Sequence, residues 1–172
     1  MVISHFLIGP PSSGKSTVAK QLVQLIPSAQ IVSTDTIRAL LFGDERIQGE
    51  WSLIEKTAVQ QIQNALSAGR PVIYDATNAK PEWRRAMLKL VSADNVQWVG
   101  WHLQTPLELC KTWNRKRLRQ VPEPVIEEFF QSLRNFPPQV SEGFVAVNTL
   151  RGTAQGIEAE EIARQFTTTL QL

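Results

Sequence analysis

Gly9-Pro10-Pro11-Ser12-Ser13-Gly14-Lys15-Ser16 sets two glycines with four residues between them and follows the second with Lys and Ser. Each residue type suits a phosphate chain. Glycines let the backbone wrap an anion, amides exposed at a helix start donate to its oxygens, an ammonium reaches the β- and γ-phosphates, and a hydroxyl is offered to magnesium. This is the P-loop pattern, and Gly9, Ser12, Ser13, Gly14, Lys15, Ser16 and Thr17 are the candidate nucleotide-binding residues. Asp75, closing the apolar run Pro71-Val72-Ile73-Tyr74, stands where such proteins place a carboxylate near the metal or its waters, so Ser16 and Asp75 are the candidate Mg2+ residues. A plain turn aspartate is the alternative there. Asp35 and Arg38 have the i, i+3 spacing that shares one helix face, so carboxylate and guanidinium point together. Asp35 could orient and deprotonate an attacking hydroxyl while Arg38 holds an anion, or Asp35 could merely cap a helix. Between Glu108 and Glu123, Lys111, Arg115, Lys116, Arg117 and Arg119 form a run without acidic residues. Arg115 and Arg119, four apart, share a face if a helix persists through them, and planar guanidiniums suit a phosphate clamp.

These groups need strands and helices to bring them together. Val2 to Ile8 reads as a strand stopped by Gly9, and Val18, Leu22, Leu25 and Ile26 share a face of the helix that follows. Gln30 to Ser33 is a second strand and Thr36 to Phe42 a short helix ended by Gly43. A longer helix, Trp51 to Ala68, carries Ile54, Ala58, Ile62 and Ala65 on one stripe. Pro71 to Tyr74 lacks alternation, as a parallel strand covered on both faces should. Helices from Pro81 and Pro106, a strand over Asn95 to Leu103, a helix over Glu123 to Leu133, a strand over Phe144 to Leu150 and a helix over Ala159 to Leu170 follow. Alternating strands and helices predict an α/β fold of about five parallel strands with helices on both faces. Gly9 to Thr17, Thr34 to Arg38 and Asp75 to Asn78 each follow a strand, so they meet at the carboxyl edge where such sheets bind ligands.

Length and composition set the outer bounds. The chain has 172 residues, 42% apolar and 20% charged, which suits one folded domain over 1–172. A net charge of +2 supplies no global field toward nucleic acid or membrane. No run nears the roughly 18 apolar residues that cross a bilayer, and the lone Cys110 cannot pair internally, so a cytoplasmic location without membrane contact is expected. His5 and His102 have no partners at metal-ligand spacing. Trp98 and Trp101 should cover the sheet, whereas Trp83, beside Arg84 and Arg85, either packs in a helix or stacks on a base.

Taken together, these residues resemble the polynucleotide 5′-kinase type of P-loop kinase, found in phage and bacterial RNA-repair enzymes and eukaryotic DNA end-processing enzymes. The resemblance rests on Gly9 to Thr17, Asp35-Thr36-Ile37-Arg38, Asp75-Ala76-Thr77-Asn78 with Pro81-Glu82, the Arg-rich stretch before Val121-Pro122, and Glu142-Gly143-Phe144. It implies strand order 2-3-1-4-5, an Arg-rich lid over about 111–135, Asp35 as general base toward a 5′-hydroxyl, Arg38 on the substrate, and either Arg115 or Arg119 on the phosphates of ATP. The implied reaction is transfer of the γ-phosphate of Mg-ATP to single-stranded 5′-hydroxyl RNA or DNA. No Asp-x-Asp phosphatase segment is present, which implies a free-standing kinase domain. Small-molecule and sugar-nucleotide kinases share the same combination, so a small hydroxyl acceptor is the alternative; a nucleotide-binding regulatory module without efficient transfer is the third.

Overall fold

The structure, a computed structural model, describes residues 1–171. Five strands, β1 (Val2–Ile8), β2 (Gln30–Ser33), β3 (Val72–Asp75), β4 (Val96–Leu103) and β5 (Ala146–Leu150), form one parallel sheet in the order β2-β3-β1-β4-β5. Helices α1 (Lys15–Leu25), α2 (Thr34–Phe42), α3 (Trp51–Ser67), α4 (Pro81–Val91), α5 (Leu107–Arg115) and α6 (Glu123–Asn135) lie in the crossovers, and α7 (Ala159–Thr169) follows β5. A short 3-10 turn, Val140–Glu142, leads into β5.

Alternation along each strand sends neighbouring side chains to opposite layers, so a parallel strand covered on both faces is apolar at most positions. Phe6 and Ile8 join Val72, Tyr74, Trp98 and Phe144 in the layer under Ile54, Ile62, Met87 and Leu133. Leu7 goes the other way, with Ile73, Val99, Trp101 and Leu150, to meet Val18 and Leu22 of α1 and Ile162 of α7. The two strand tryptophans thus cover opposite faces. His5 is buried among the second set, its Nδ1 accepting from Trp101 Nε1 at 3.0 Å.

Strand register aligns the site. Asp75 sits beside Leu7 of β1 on one side and Ser33 of β2 on the other, so the ends of three strands deliver the P-loop, Asp75 and the start of α2 to one rim. Two sequence expectations shift. The cap of α2 is Ser33, whose hydroxyl accepts from Thr36 N at 3.5 Å, so Asp35 lies inside the first turn and is not the cap. Helix α5 stops at Arg115 with Lys116 as its cap, because Asn114 turns its side chain onto the backbone of Val121. Arg115 and Arg119 therefore share no helix face.

Candidate active site

Gly9 to Gly14 forms the link from β1 to α1, and Lys15 and Ser16 open the helix. Gly14 has φ 103°, a left-handed conformation that a side chain would strain, and a Cβ there would also lie 2.4 Å from Ile157 Cδ1. Ser12 is held at φ 59° without that freedom, and its Oγ lies 3.4 Å from Asn114 Oδ1. The Gly9 amide donates to Thr77 O at 3.1 Å, tying the P-loop to the segment after β3. Asn78, at φ 51°, donates through Nδ2 to Leu7 O at 2.7 Å and so reinforces that tie.

The Lys15 ammonium donates to the carbonyls of Gly9 at 2.9 Å and Pro10 at 2.8 Å, which uses two of its three N–H groups and leaves one. Burial pushes its pKa below the ordinary lysine range, opposed by the charges of Asp75 and Asp35. Burial also pushes the Asp75 carboxyl above the usual range, against the attraction of Lys15, while a side-chain hydrogen bond from Ser16 holds it down. Lys15, Ser16 and Asp75 are thus one electrostatic unit, with Asp35 acting on it from α2.

Asp35 is clamped. Arg38 Nη1 lies 3.1 Å from its Oδ1, and Arg119 Nη1, arriving from the segment between α5 and α6, lies 3.1 Å from its Oδ2. Arg119 also approaches Glu45 Oε1 at 3.5 Å. The Arg38 Nε is buried without a partner. Each carboxylate oxygen keeps a lone pair beyond its guanidinium contact, so Asp35 can still accept a hydrogen bond from a hydroxyl.

The basic run separates into three directions. Arg115 turns outward and pairs with Glu123, Nη2 to Oε1 at 2.5 Å. Arg119 goes to Asp35. Arg117, to which the sequence pattern assigns no separate role within the patch, donates through Nη1 to Ser12 Oγ at 3.2 Å and so reaches the P-loop. Asn114 explains this order: Nδ2 donates to Val121 O at 2.7 Å and Oδ1 accepts from Val121 N at 2.9 Å, closing the loop from which Arg117 and Arg119 diverge. Tertiary position alone distinguishes Arg117, since nothing in its type or spacing does. Lys111 instead pairs with Glu127 at 2.6 Å. Trp83, 40% exposed, packs edge-on against Phe129 with Lys80 Nζ 4.8 Å above its ring.

Among the described residues no helix is long and apolar enough to cross a membrane, and no group of three or more His, Cys, Asp or Glu could hold a metal. No curated protein sequence matches the chain. Solved structures do. The chain superposes on a component of the "Pnkp1/Rnl/Hen1 RNA repair complex" with a TM-score of 0.68 and 23% identity, covering 78% of this chain and 44% of that one. It superposes on a fungal RNA kinase with a TM-score of 0.63 and 15% identity, covering 99% and 45%. A sugar kinase from Janibacter sp. HTCC2649 gives 0.68 and 16%, covering 99% and 95%. The chain thus spans under half the length of the two RNA-acting chains, and these identities speak to fold, which is that of P-loop kinases. The sequence itself matches the family AAA_33, described as an AAA domain, along residues 5–136, and the chain belongs to that family.

Proposed function

We propose that the chain transfers the γ-phosphoryl group of Mg-ATP to a hydroxyl, and that the acceptor is the 5′-hydroxyl of RNA or DNA. The observation that carries this is the carboxylate of Asp35, clamped by Arg38 and Arg119 on the same rim as the Lys15 P-loop. Residues 1–172 act in this reading as one kinase domain, with the lid over about 111–135. Gly9, Ser12, Ser13, Gly14, Lys15, Ser16 and Thr17 hold the triphosphate, and the free N–H of Lys15 faces its β- and γ-phosphates.

Ser16 and Asp75 fit Mg2+: a hydroxyl at the start of α1 and a carboxylate at the end of β3 whose charge the Ser16 side chain stabilises offer two oxygen ligands, and hard cations take oxygen. When bound, the ion neutralises charge on the β- and γ-phosphate oxygens. The rest of the chemistry belongs to protein side chains. Arg38 holds an anionic part of the acceptor and Asp35 aligns the hydroxyl. The acceptor oxygen forms its bond to the γ-phosphorus as the bond from that phosphorus to the β–γ bridging oxygen breaks; the hydroxyl proton passes to Asp35, and ADP leaves. Arg117 follows the charge on the phosphates from the lid. The phosphoryl group passes through a loose transition state, so positioning and charge stabilisation do most of the work.

A second reading, a small-molecule kinase, is favoured by length alone, since the sugar kinase is matched along nearly all of its chain while the RNA-acting chains are matched along less than half. Labelled γ-phosphate should pass from ATP to 5′-hydroxyl oligonucleotides, with a Kd that weakens as salt rises because phosphate contacts release counterions. Transfer only to small hydroxyl compounds would replace the polynucleotide by the metabolite; ATP binding with no transfer to either would favour a regulatory module. Lys15→Ala should abolish nucleotide binding in every case.

A further inference from the structure

Thr105 lies outside the P-loop motif, just past the end of β4, and is fully buried. Its hydroxyl donates to the carbonyl of Ser13 at 2.7 Å. The Ser13 Oγ itself is buried without a partner, packed where a Cβ on Gly9 would come within 2.5 Å of it, so the Ser13 side chain provides no tether of its own.

The tether matters because of what lies on the far side of the same peptide. A planar trans peptide points its carbonyl and its N–H in opposite directions. Holding the Ser13 oxygen on Thr105 therefore fixes the direction of the Gly14 amide. Gly14, at φ 103°, has the conformational freedom that would let an untethered peptide rotate. The Thr105 rotamer is itself confined: a Cβ on Gly152 would lie 2.6 Å from its Oγ1, 2.9 Å from its Cγ2 and 2.8 Å from Trp113 Cη2. The ends of β4 and β5 thus close around one hydroxyl. Their join is fixed by Gln104 N donating to Leu150 O at 2.7 Å.

We propose that Thr105 is a positioning residue for the triphosphate: its hydroxyl locks the Ser13–Gly14 peptide so that the Gly14 amide is aimed at a phosphate oxygen before nucleotide arrives. This rests on the phosphate-binding reading of the P-loop and is independent of the acceptor. Preorganised donors bind without the cost of ordering them. Thr105→Val keeps shape and volume but removes the hydroxyl, leaving the carbonyl free to turn.

Calorimetric titration of the full chain with Mg-ATP and with Mg-tripolyphosphate tests this. Thr105→Val should weaken both by about tenfold, a factor suited to one misdirected hydrogen bond. Thr105→Ser, which restores the hydroxyl, should return to within about threefold of the parent. A folded Thr105→Val protein that binds both ligands as the parent does would overturn the proposal, as would a loss that Thr105→Ser fails to recover. Should Thr105→Val not fold, Gly152→Ala keeps the hydroxyl but displaces it, and the same weakening is expected; unchanged binding by that variant overturns the proposal equally. A parent chain that binds neither ligand brings down the phosphate-binding reading as well, whereas parent binding with an indifferent Thr105 brings down this inference alone.

Discussion

Asp35 and the arginines of the proposed lid carry the sharpest consequences at the scale of single residues. With Ser33 serving as the cap of α2, Asp35 has no capping duty, and its carboxylate is spent on Arg38 and Arg119. Asp35→Asn should lower phosphoryl transfer by about 10² to 10⁴ while leaving ATP affinity nearly intact, because a base acts on the hydroxyl and not on the nucleotide. Single-turnover rates at saturating Mg-ATP, beside a binding isotherm, measure both; a normally active Asp35→Asn protein would remove Asp35 from the chemistry. The arginines should separate in the same assay. Arg117→Ala should raise the KM for ATP and lower the rate, since Arg117 reaches the P-loop through Ser12. Arg119→Ala should act mainly on the KM for the acceptor, because Asp35 and Glu45 are its partners. Arg115→Ala should change either constant by less than about threefold, as expected of an exposed pair with Glu123. An Arg119→Ala protein impaired only in ATP binding would show that the lid is arranged otherwise when substrates are bound.

At the scale of elements, the buried Arg84 holds the site together from outside it. Its guanidinium pairs with Glu142, Nε to Oε2 at 2.5 Å and Nη2 to Oε1 at 2.7 Å, and donates to the carbonyls of Asn78, Ala79 and Phe136. One side chain thereby joins α4, the segment after Asp75, the end of α6 and the turn before β5. Breaking a buried pair from one side leaves an uncompensated charge and costs about 3–5 kcal/mol. Arg84→Met should accordingly lower the denaturation midpoint far more than a surface change, and Arg84→Met with Glu142→Leu together should cost less than Arg84→Met alone; urea unfolding of the three proteins checks this. In the sequence Arg84 stands beside Trp83 and Glu142 opens the separate stretch Glu142-Gly143-Phe144. Their pairing was invisible there, because 58 positions separate them and only the packing of α4 against the turn brings them into contact.

Two buried histidines contribute to the acid response of the whole molecule. Burial lowers His5 and His102 from 6.5 to about 4 in the fold. Between those values the unfolded chain binds more protons than the native one, so this stability is fully present well above pH 6.5 and is lost progressively as pH falls toward 4. Urea midpoints at pH 7.5, 6.5 and 5.5 should fall in that order, and His102→Gln should show a shallower decline. A midpoint that does not change over this range would contradict the burial of both imidazoles as neutral groups.

Local signals determined much of this protein. The P-loop is legible because phosphate binding demands contiguous residue types, and the strands are legible because a sheet covered on both faces is apolar at most positions; even the carboxyl-edge placement of Lys15, Asp35 and Asp75 follows from strands that each end at or just before them. Fraying ends moved by a residue or two, as in β5, which begins at Ala146 where Phe144 was expected, because Phe144 packs in the core before the strand pairs. Tertiary structure alone decided the basic run. Arg115, Arg117 and Arg119 are chemically identical and closely spaced, and what sends one to Glu123, one to the P-loop and one to Asp35 is the ending of α5 and the closure of its following loop by the buried Asn114. Thr105 belongs to the same class, since a threonine 92 positions from Ser13 gains its meaning only when parallel strands bring β4 alongside β1.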